Sequence, residues 1–304
     1  MKEKKSKKPI IIIICIAVAV AAIAGVLIFV LGKEDSYRLL KVFEVEGTAS
    51  VTREGTGTID PYTNMVLESG DHVALDTGKF TIKADEDKYI YLEDHTELVL
   101  VASGTSSNSK TKIELLSGAI TNDIQKKLSV DSSYEVNTPN STMSVLGTVF
   151  RVSVYEENGV KYTKIVVFSG KVSTKLVYED GTVSDEEVIV EQGKQTIIYY
   201  DGTKTDYVSD PTDIEYEELS DEVLQLLSSL AEEGREIDIT KEEVDHILNG
   251  PYEVVFKYKG AEFGRQTVKK GEKAQVPNLQ PEASGSWKFD FSQPINRDTE
   301  INWE

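Results

Sequence analysis

Two runs of adjacent carboxylates, Asp85-Glu86-Asp87 and Asp185-Glu186-Glu187, hold the residue types that could do acid–base chemistry. Cleavage of a glycosidic bond, for instance, needs one carboxyl to give a proton and a second to attack or to activate water. Acids packed side by side in a charge run, however, face solvent rather than converge on one bond, and both runs are expected to do so. Ser141 and Ser144 are candidate nucleophiles, and each needs a base, for which His72 and His95 are the candidates. Only one further histidine exists, His246, and no two of the three stand at metal-ligand spacing. The single cysteine, Cys15, excludes a disulfide framework and any zinc site built on paired cysteines. The segment Asp180-Gly-Thr-Val-Ser-Asp-Glu-Glu187 lacks the alternating ligand order of a calcium loop. There is no glycine-rich phosphate loop, HExxH or GxSxG. The expectation is a protein with no catalytic residues, no cofactor and no metal.

Charge and hydropathy then place the molecule. The 304 residues include 33 Lys and Arg against 52 Asp and Glu, a formal net charge of -19. Nucleic-acid binding rests on cations that displace phosphate counterions, so a nucleic-acid partner is not expected. Residues Ile10 to Leu31 are apolar or small without a charge. At about 1.5 Å per residue a helix of that length spans roughly 33 Å, enough for a bilayer core of about 30 Å. Lys2, Lys4, Lys5, Lys7 and Lys8 precede it, which orients the tail, 1–9, to the cytosol and the bulk of the chain outside. The run is longer than the apolar region of a signal peptide and ends Leu27-Ile-Phe-Val-Leu31, a poor cleavage context, so a retained signal anchor at 10–31 is expected.

The exported part begins as β structure. From 38 to 200, short runs of alternating apolar residues are bounded by Gly, Asn, Asp and Ser; Val42–Val45, Lys79–Ile82, Tyr89–Leu92, Glu97–Val101, Phe150–Tyr155 and Lys164–Phe168 are the clearest. A glycine two or three residues after an apolar strand end recurs at Gly47, Gly70, Gly118, Gly170 and Gly193. Read as turn chemistry, it predicts repeated hairpins. The unequal spacing leaves an antiparallel double-sheet roll and a β-solenoid both open.

The stretch Tyr134-Glu-Val-Asn-Thr-Pro139 followed by Val145-Leu-Gly-Thr-Val-Phe-Arg-Val152 resembles the signature of the FecR-type extracytoplasmic domain. Thr138, Pro139, Gly147, Thr148, Phe150 and Val152 carry it, and Leu67 to Asp71, Leu116-Ser-Gly118, Phe168-Ser-Gly170-Lys-Val172 and Glu191-Gln-Gly-Lys194 follow in family order. The resemblance covers about 42–200. The arginine that the family often places before glycine-threonine is replaced by Leu146. Glycine and proline at these positions read first as fold-determining punctuation. The resemblance implies a domain that receives a signal for a cytosolic sigma-factor system. Met1 to Pro9 is too short for the helical anti-sigma domain of complete regulators, so direct sigma-factor binding is not expected.

Between 201 and 222 lie nine acids and one lysine, the composition of a solvated spacer. Ser220 caps a helix whose apolar stripe is Val223, Leu226, Leu227 and Leu230, and Thr240-Lys-Glu-Glu243 is a capping box for a second helix that Gly250-Pro251 ends. The stripes are expected to pack on each other or on a neighbouring domain, so that 201–250 is a spacer and helical pair. The remainder, 251–304, resembles one copy of the Listeria-Bacteroides surface repeat, a small β-grasp-like unit. Gly271, Glu272, Pro277, Trp287, Asp290, Pro294, Asp298, Thr299, Ile301 and Trp303 carry that resemblance. Trp287 and Trp303 read as core anchors, because a module this small needs large buried rings.

The fold expected is therefore mainly β: a single membrane anchor, a FecR-like β-domain, a short helical pair and a small β-module. The function expected is a membrane-anchored, non-enzymatic binding or scaffold protein of the bacterial envelope, with an envelope protein or wall polymer as partner. Transmembrane signalling through another protein or through proteolysis is the alternative.

Overall fold

The computed structural model describes residues 38–105, 107–199, 207–281 and 284–304. The tail 1–9 and the expected spanning segment 10–31 lie outside the described residues. Among the described residues no helix is long and apolar enough to cross a membrane.

Alternating apolar residues give fifteen strands joined in one hydrogen-bonded sheet. They are β1 (Leu40–Arg53), β2 (Gly57–Ile59), β3 (Asp71–Ala84), β4 (Lys88–Leu92), β5 (Thr96–Thr105), β6 (Asn108–Ile124), β7 (Ser133–Thr138), β8 (Ser141–Val145), β9 (Val149–Glu157), β10 (Val160–Ser169), β11 (Lys171–Leu176), β12 (Val188–Glu191), β13 (Lys194–Tyr199), β14 (Tyr207–Val208) and β15 (Thr212–Asp213). Three of them, β1, β3 and β6, run 14, 14 and 17 residues, far longer than an ordinary strand. The halves of β3 and β6 have different partners. The first half of β3 pairs with β5 and its second half with β4. The first half of β6 pairs with β5 and β7, its second half with β4 and β9.

The sheet is thus folded over into two layers. One layer holds β5, β7, β8, β11 and β12, the other β4, β9, β10 and β13, and the long strands belong to both. Val73, Leu98, Ile113 and Met143 from the first layer meet Phe80, Ile90, Phe150 and Ile165 from the second in a single buried core. Each such side chain contributes roughly 1.5–3 kcal/mol by leaving water. Of the two alternatives, this is the double-sheet roll; solenoid turns would stack as parallel strands, and among the described residues of this sheet only β6 with β7 pairs in parallel.

Strands cross between layers along two edges. At the first edge β1, β3 and β6 pass through Gly47, Gly78 and Gly118; at the second, β8 leads to β9 through Gly147, β10 to β11 through Gly170, and β12 to β13 through Gly193. The recurrent glycine is therefore mostly an edge crossing and not the hairpin turn the sequence pattern predicts. Gly47 and Gly78 are register partners with φ of +89° and +113°, and a Cβ would sit 2.1 Å from the Thr77 carbonyl oxygen or 2.2 Å from that of Glu46. No side chain fits where two backbones cross this closely.

The Asp85 run is also corrected. Glu86 is exposed as expected, but Asp85 is half-buried and paired: Arg38 Nε and Nη2 donate to its two carboxylate oxygens, each at 3.1 Å, and Lys88 Nζ adds a third bond at 3.1 Å. Arg38 Nη1 also donates to the carbonyls of Ser103 (3.0 Å) and Lys110 (2.6 Å), tying the β3–β4 turn to the β5–β6 hairpin across the second edge.

The described part of the acidic spacer completes the edge of β13. Val208 pairs with Ile198 and Asp213 with Lys194, and Thr196 Oγ1 donates to the Ser209 carbonyl at 2.6 Å. Backbone pairing holds this segment while its acids point to solvent. Helices α1 (Asp221–Glu232) and α2 (Lys241–Asn249) follow, capped by Ser220 and by the Thr240–Glu243 box as their sequence predicts. Val223, Leu224, Leu227, Leu230 and Val244 bury against Val149, Val166 and Phe168 on the outer face of the second layer.

The last module is a three-stranded sheet, β17 (Ala261–Val268), β16 (Tyr252–Tyr258) and β18 (Thr299–Asn302) in that order, with β16 and β18 parallel. Trp287 packs edge-on against Phe256 and Trp303, each 5.1 Å between ring centres. The module meets α2 through Tyr252 Oη, which donates to the Ile247 carbonyl (2.6 Å), and through His246 and Asp298, 3.3 Å apart.

The crossing geometry makes a directional prediction. Gly78→Ala is expected to cost about 2 kcal/mol or more in urea unfolding, from positive φ and the clash with Glu46 together. Gly55→Ala, at φ +75° in open space, is expected to cost no more than about 1–2 kcal/mol. Equal losses in the two variants would contradict the crossing account.

Candidate functional site

The second edge holds an open cleft of about 890 Å³ between the crossings and the α1–α2 connection. Its floor is backbone. Thr148 is buried, its Oγ1 donates to the Lys171 carbonyl (3.2 Å), and its own carbonyl accepts from the Ile124 N–H (3.1 Å). Beside it, a Cβ on Gly170 would lie 2.7 Å from the Gly147 carbonyl oxygen, so two strands cross in contact here. Its walls carry Gln125, Lys127, Leu146, Lys171, Glu191, Gln192 and Glu236. Leu146 is 55% exposed at the rim.

Arg235 closes the cleft from the helical side. Its Nη2 donates to Asp123 Oδ1 at 2.7 Å, and its Nη1 and Nη2 reach the carbonyls of Gln125 and Ile124 at 3.3 Å. Asp123 is fully buried on β6, so this pair fastens the helices to the roll. On the same face burial pushes the Tyr91 phenol well above its ordinary range, and the carboxylates of Asp123 and Glu233 push it further. With Arg235 committed to Asp123, the cleft offers a ligand two ammonium groups, two carboxylates, two amides and a leucine. Such a lining recognises a polar partner of mixed charge.

The residues singled out in the sequence do not all meet here. Gly147, Thr148 and Gly170 frame the cleft. Phe150 lies in the core between the layers. Thr138 and Pro139 sit at the first edge, where Pro139 and Asn140 form the two-residue link between β7 and β8. The Thr138 and Thr163 hydroxyls share a bond of 2.8 Å, and Asn140 Nδ2 donates to the carbonyls of Lys161 (2.9 Å) and Ile198 (3.1 Å), sewing the layers together. Trp287 and Trp303 lie in the C-terminal module.

Of the two candidate serines, Ser144 is exposed on β8 and Ser141 is engaged elsewhere, its hydroxyl 2.8 Å from that of Thr174, while His72 lies 3.6 Å from Glu97 and His95 3.3 Å from Asp76. At the weighed calcium segment, Asp180 accepts from the N–H and hydroxyl of Thr182, which hold its carboxyl below the usual carboxylate range. Among the described residues no group of three or more His, Cys, Asp or Glu side chains gathers for a metal.

Sequence reasoning missed Arg235, Asp123 and Asn140. The signal for Arg235 was present: it is the one cation between Lys204 and Lys241, in a strongly acidic stretch.

Comparison with known proteins finds one matching family model. Residues 68–173 match the family model described as FecR protein, so the chain carries a FecR domain from just before β3 to the start of β11. That span includes crossings at both edges, Gly78 and Gly118 at the first and Gly147 and Gly170 at the second, and with them the framing residues of the cleft. The expected surface repeat has no counterpart in these comparisons. Two crystal structures described as a "putative anti-sigma factor" from Parabacteroides distasonis ATCC 8503 are similar at 12% and 13% identity. The alignments cover 76% and 78% of this chain and 97% and 96% of theirs, with TM-scores of 0.39 and 0.34. A search of curated proteins finds no match.

Removing the half-buried Arg235 leaves the buried Asp123 carboxylate with Gln125 as its remaining side-chain donor. Arg235→Ala is therefore expected to cost about 2–3 kcal/mol in unfolding free energy. Arg235→Ala combined with Asp123→Asn should recover part of the loss, and full additivity of the two changes would show that the groups do not act as a pair.

Proposed function

We propose that the protein is a non-enzymatic component of a FecR-type signalling route in the bacterial envelope. It is anchored by residues 10–31, with the FecR domain outside the cell. The observation that carries this reading is that the matched span, 68–173, contributes the crossings Gly147-Thr148 and Gly170, which frame a cleft. A polar cleft built from backbone crossings and mixed charges is suited to hold a protein segment. In this reading the signal passes through another membrane protein or through proteolysis. The C-terminal module, by its resemblance to a surface repeat, supplies a further contact in the envelope.

A photocrosslinking residue placed at Leu146, on the rim, tests this in intact cells. The expected product joins the full chain to a second membrane or envelope protein, and a control placed at Asn158, on the β9–β10 turn, does not form it. Direct recovery of a sigma factor, or identical products from both positions, would overturn the proposal.

A further inference from the structure

The roll has a tethered end. Only the six residues 32–37 separate Leu31 from Arg38, so over seven steps of about 3.3–3.6 Å the tether reaches roughly 25 Å at most. Arg38 is locked to Asp85, Ser103 and Lys110 at the second edge, so it cannot swing away from the roll. That same end carries the loop from Gln125 to Ser132 between β6 and β7. Ser129 Oγ donates to the Ser107 carbonyl (3.0 Å), the Ser109 N–H donates to Ser132 Oγ (2.9 Å), and Gln125 N–H donates to the Asp87 carbonyl (2.9 Å). The loop is therefore built onto the β5–β6 hairpin and the β3–β4 turn that Arg38 grips. At its tip Val130 is 102% exposed, with Lys126 and Lys127 a few residues before it and Leu146 exposed nearby.

Given a membrane anchor at 10–31, as proposed above, we infer that the Gln125–Ser132 loop rests on the bilayer surface, with Val130 at the headgroup boundary and Lys126 and Lys127 on anionic headgroups. The occupant follows from the tether: the nearest surface that a chain fixed at Arg38 must face is the lipid that holds its anchor. The charges fit. In a chain of formal charge -19 this loop has two lysines and one acid, Asp131, and basic residues next to an apolar tip are attracted to anionic lipid within a Debye length. Glu86, exposed on the adjoining β3–β4 turn, is repelled by that lipid, so the attraction rests on the loop's own two lysines and its apolar tip. The cleft shares this end through Gln125 and Lys127, so its partner approaches at the membrane surface.

The test uses the full chain in proteoliposomes of phosphatidylcholine with phosphatidylglycerol, in a Cys15→Ser background. An environment-sensitive fluorophore is attached at Val130→Cys or, as control, at Asn158→Cys. Flotation with the vesicles comes first and reports on the anchor alone. With the protein floated, the probe at 130 is expected to shift to shorter wavelength and to be quenched by headgroup nitroxide lipid, while that at 158 does neither. Lys126→Glu with Lys127→Glu should abolish the shift, and pure phosphatidylcholine should weaken it. Failure to float overturns the anchor reading and the docking with it. Flotation with equal, unquenched probes at 130 and 158 overturns the docking and leaves the anchor standing.

Discussion

A hydrogen-bonded strand must pass from one layer of the roll to the other without losing its ladder, and every other feature depends on that passage. Bending a long strand brings backbones closer than any side chain permits, so the crossings fall at glycine, most tightly where Gly47 faces Gly78 and where Gly170 meets Gly147. Once the crossings exist, alternation does the rest: one face of each half-strand enters a common core, and the other faces solvent or the helices. The two edges then differ in how they are sealed. Thr138, Asn140 and Thr163 stitch the first with a satisfied buried network, while Arg38 spans the second through Asp85 and two carbonyls.

The second edge is where the architecture leaves room. The crossings there are staggered between β8, β10 and β12, so backbone lines a cleft rather than a closed seam. The helical pair covers the adjoining outer face and reaches over the cleft with Arg235, whose partner Asp123 is buried in β6. Any partner entering the cleft therefore touches both the roll and the segment that caps it. Coupling between those two parts has a physical carrier in that ion pair and in the apolar contact of Leu227 with the outer face of the second layer.

Much of this was legible in the residues. The β runs from Val42 to Phe168, both helix caps and the resemblance of Thr138-Pro139 and Gly147-Thr148 to a FecR domain rest on local rules of alternation, capping and punctuation. These rules act within a few residues, which is why they can be read in one dimension. The glycines were visible but their role was not, because a hairpin turn and an edge crossing both call for positive φ and differ only in which strand lies opposite. Asp85 looked like one acid among three; its pairing depends on Arg38, far away in sequence. The acidic segment after 201 has the composition of a spacer, yet the exposed edge of β13 offers backbone partners that composition does not record. Arg235 and Asp123 meet across a separation of 112 residues, beyond the reach of any local pattern.

We propose that the roll and its cleft lie outside the membrane on a retained anchor. In intact cells carrying Cys15→Ser, a membrane-impermeant maleimide should label Lys171→Cys, in the cleft, and spare Ser6→Cys, in the basic tail, until the cells are opened. Labelling of Ser6→Cys in intact cells with protection of Lys171→Cys would contradict the account.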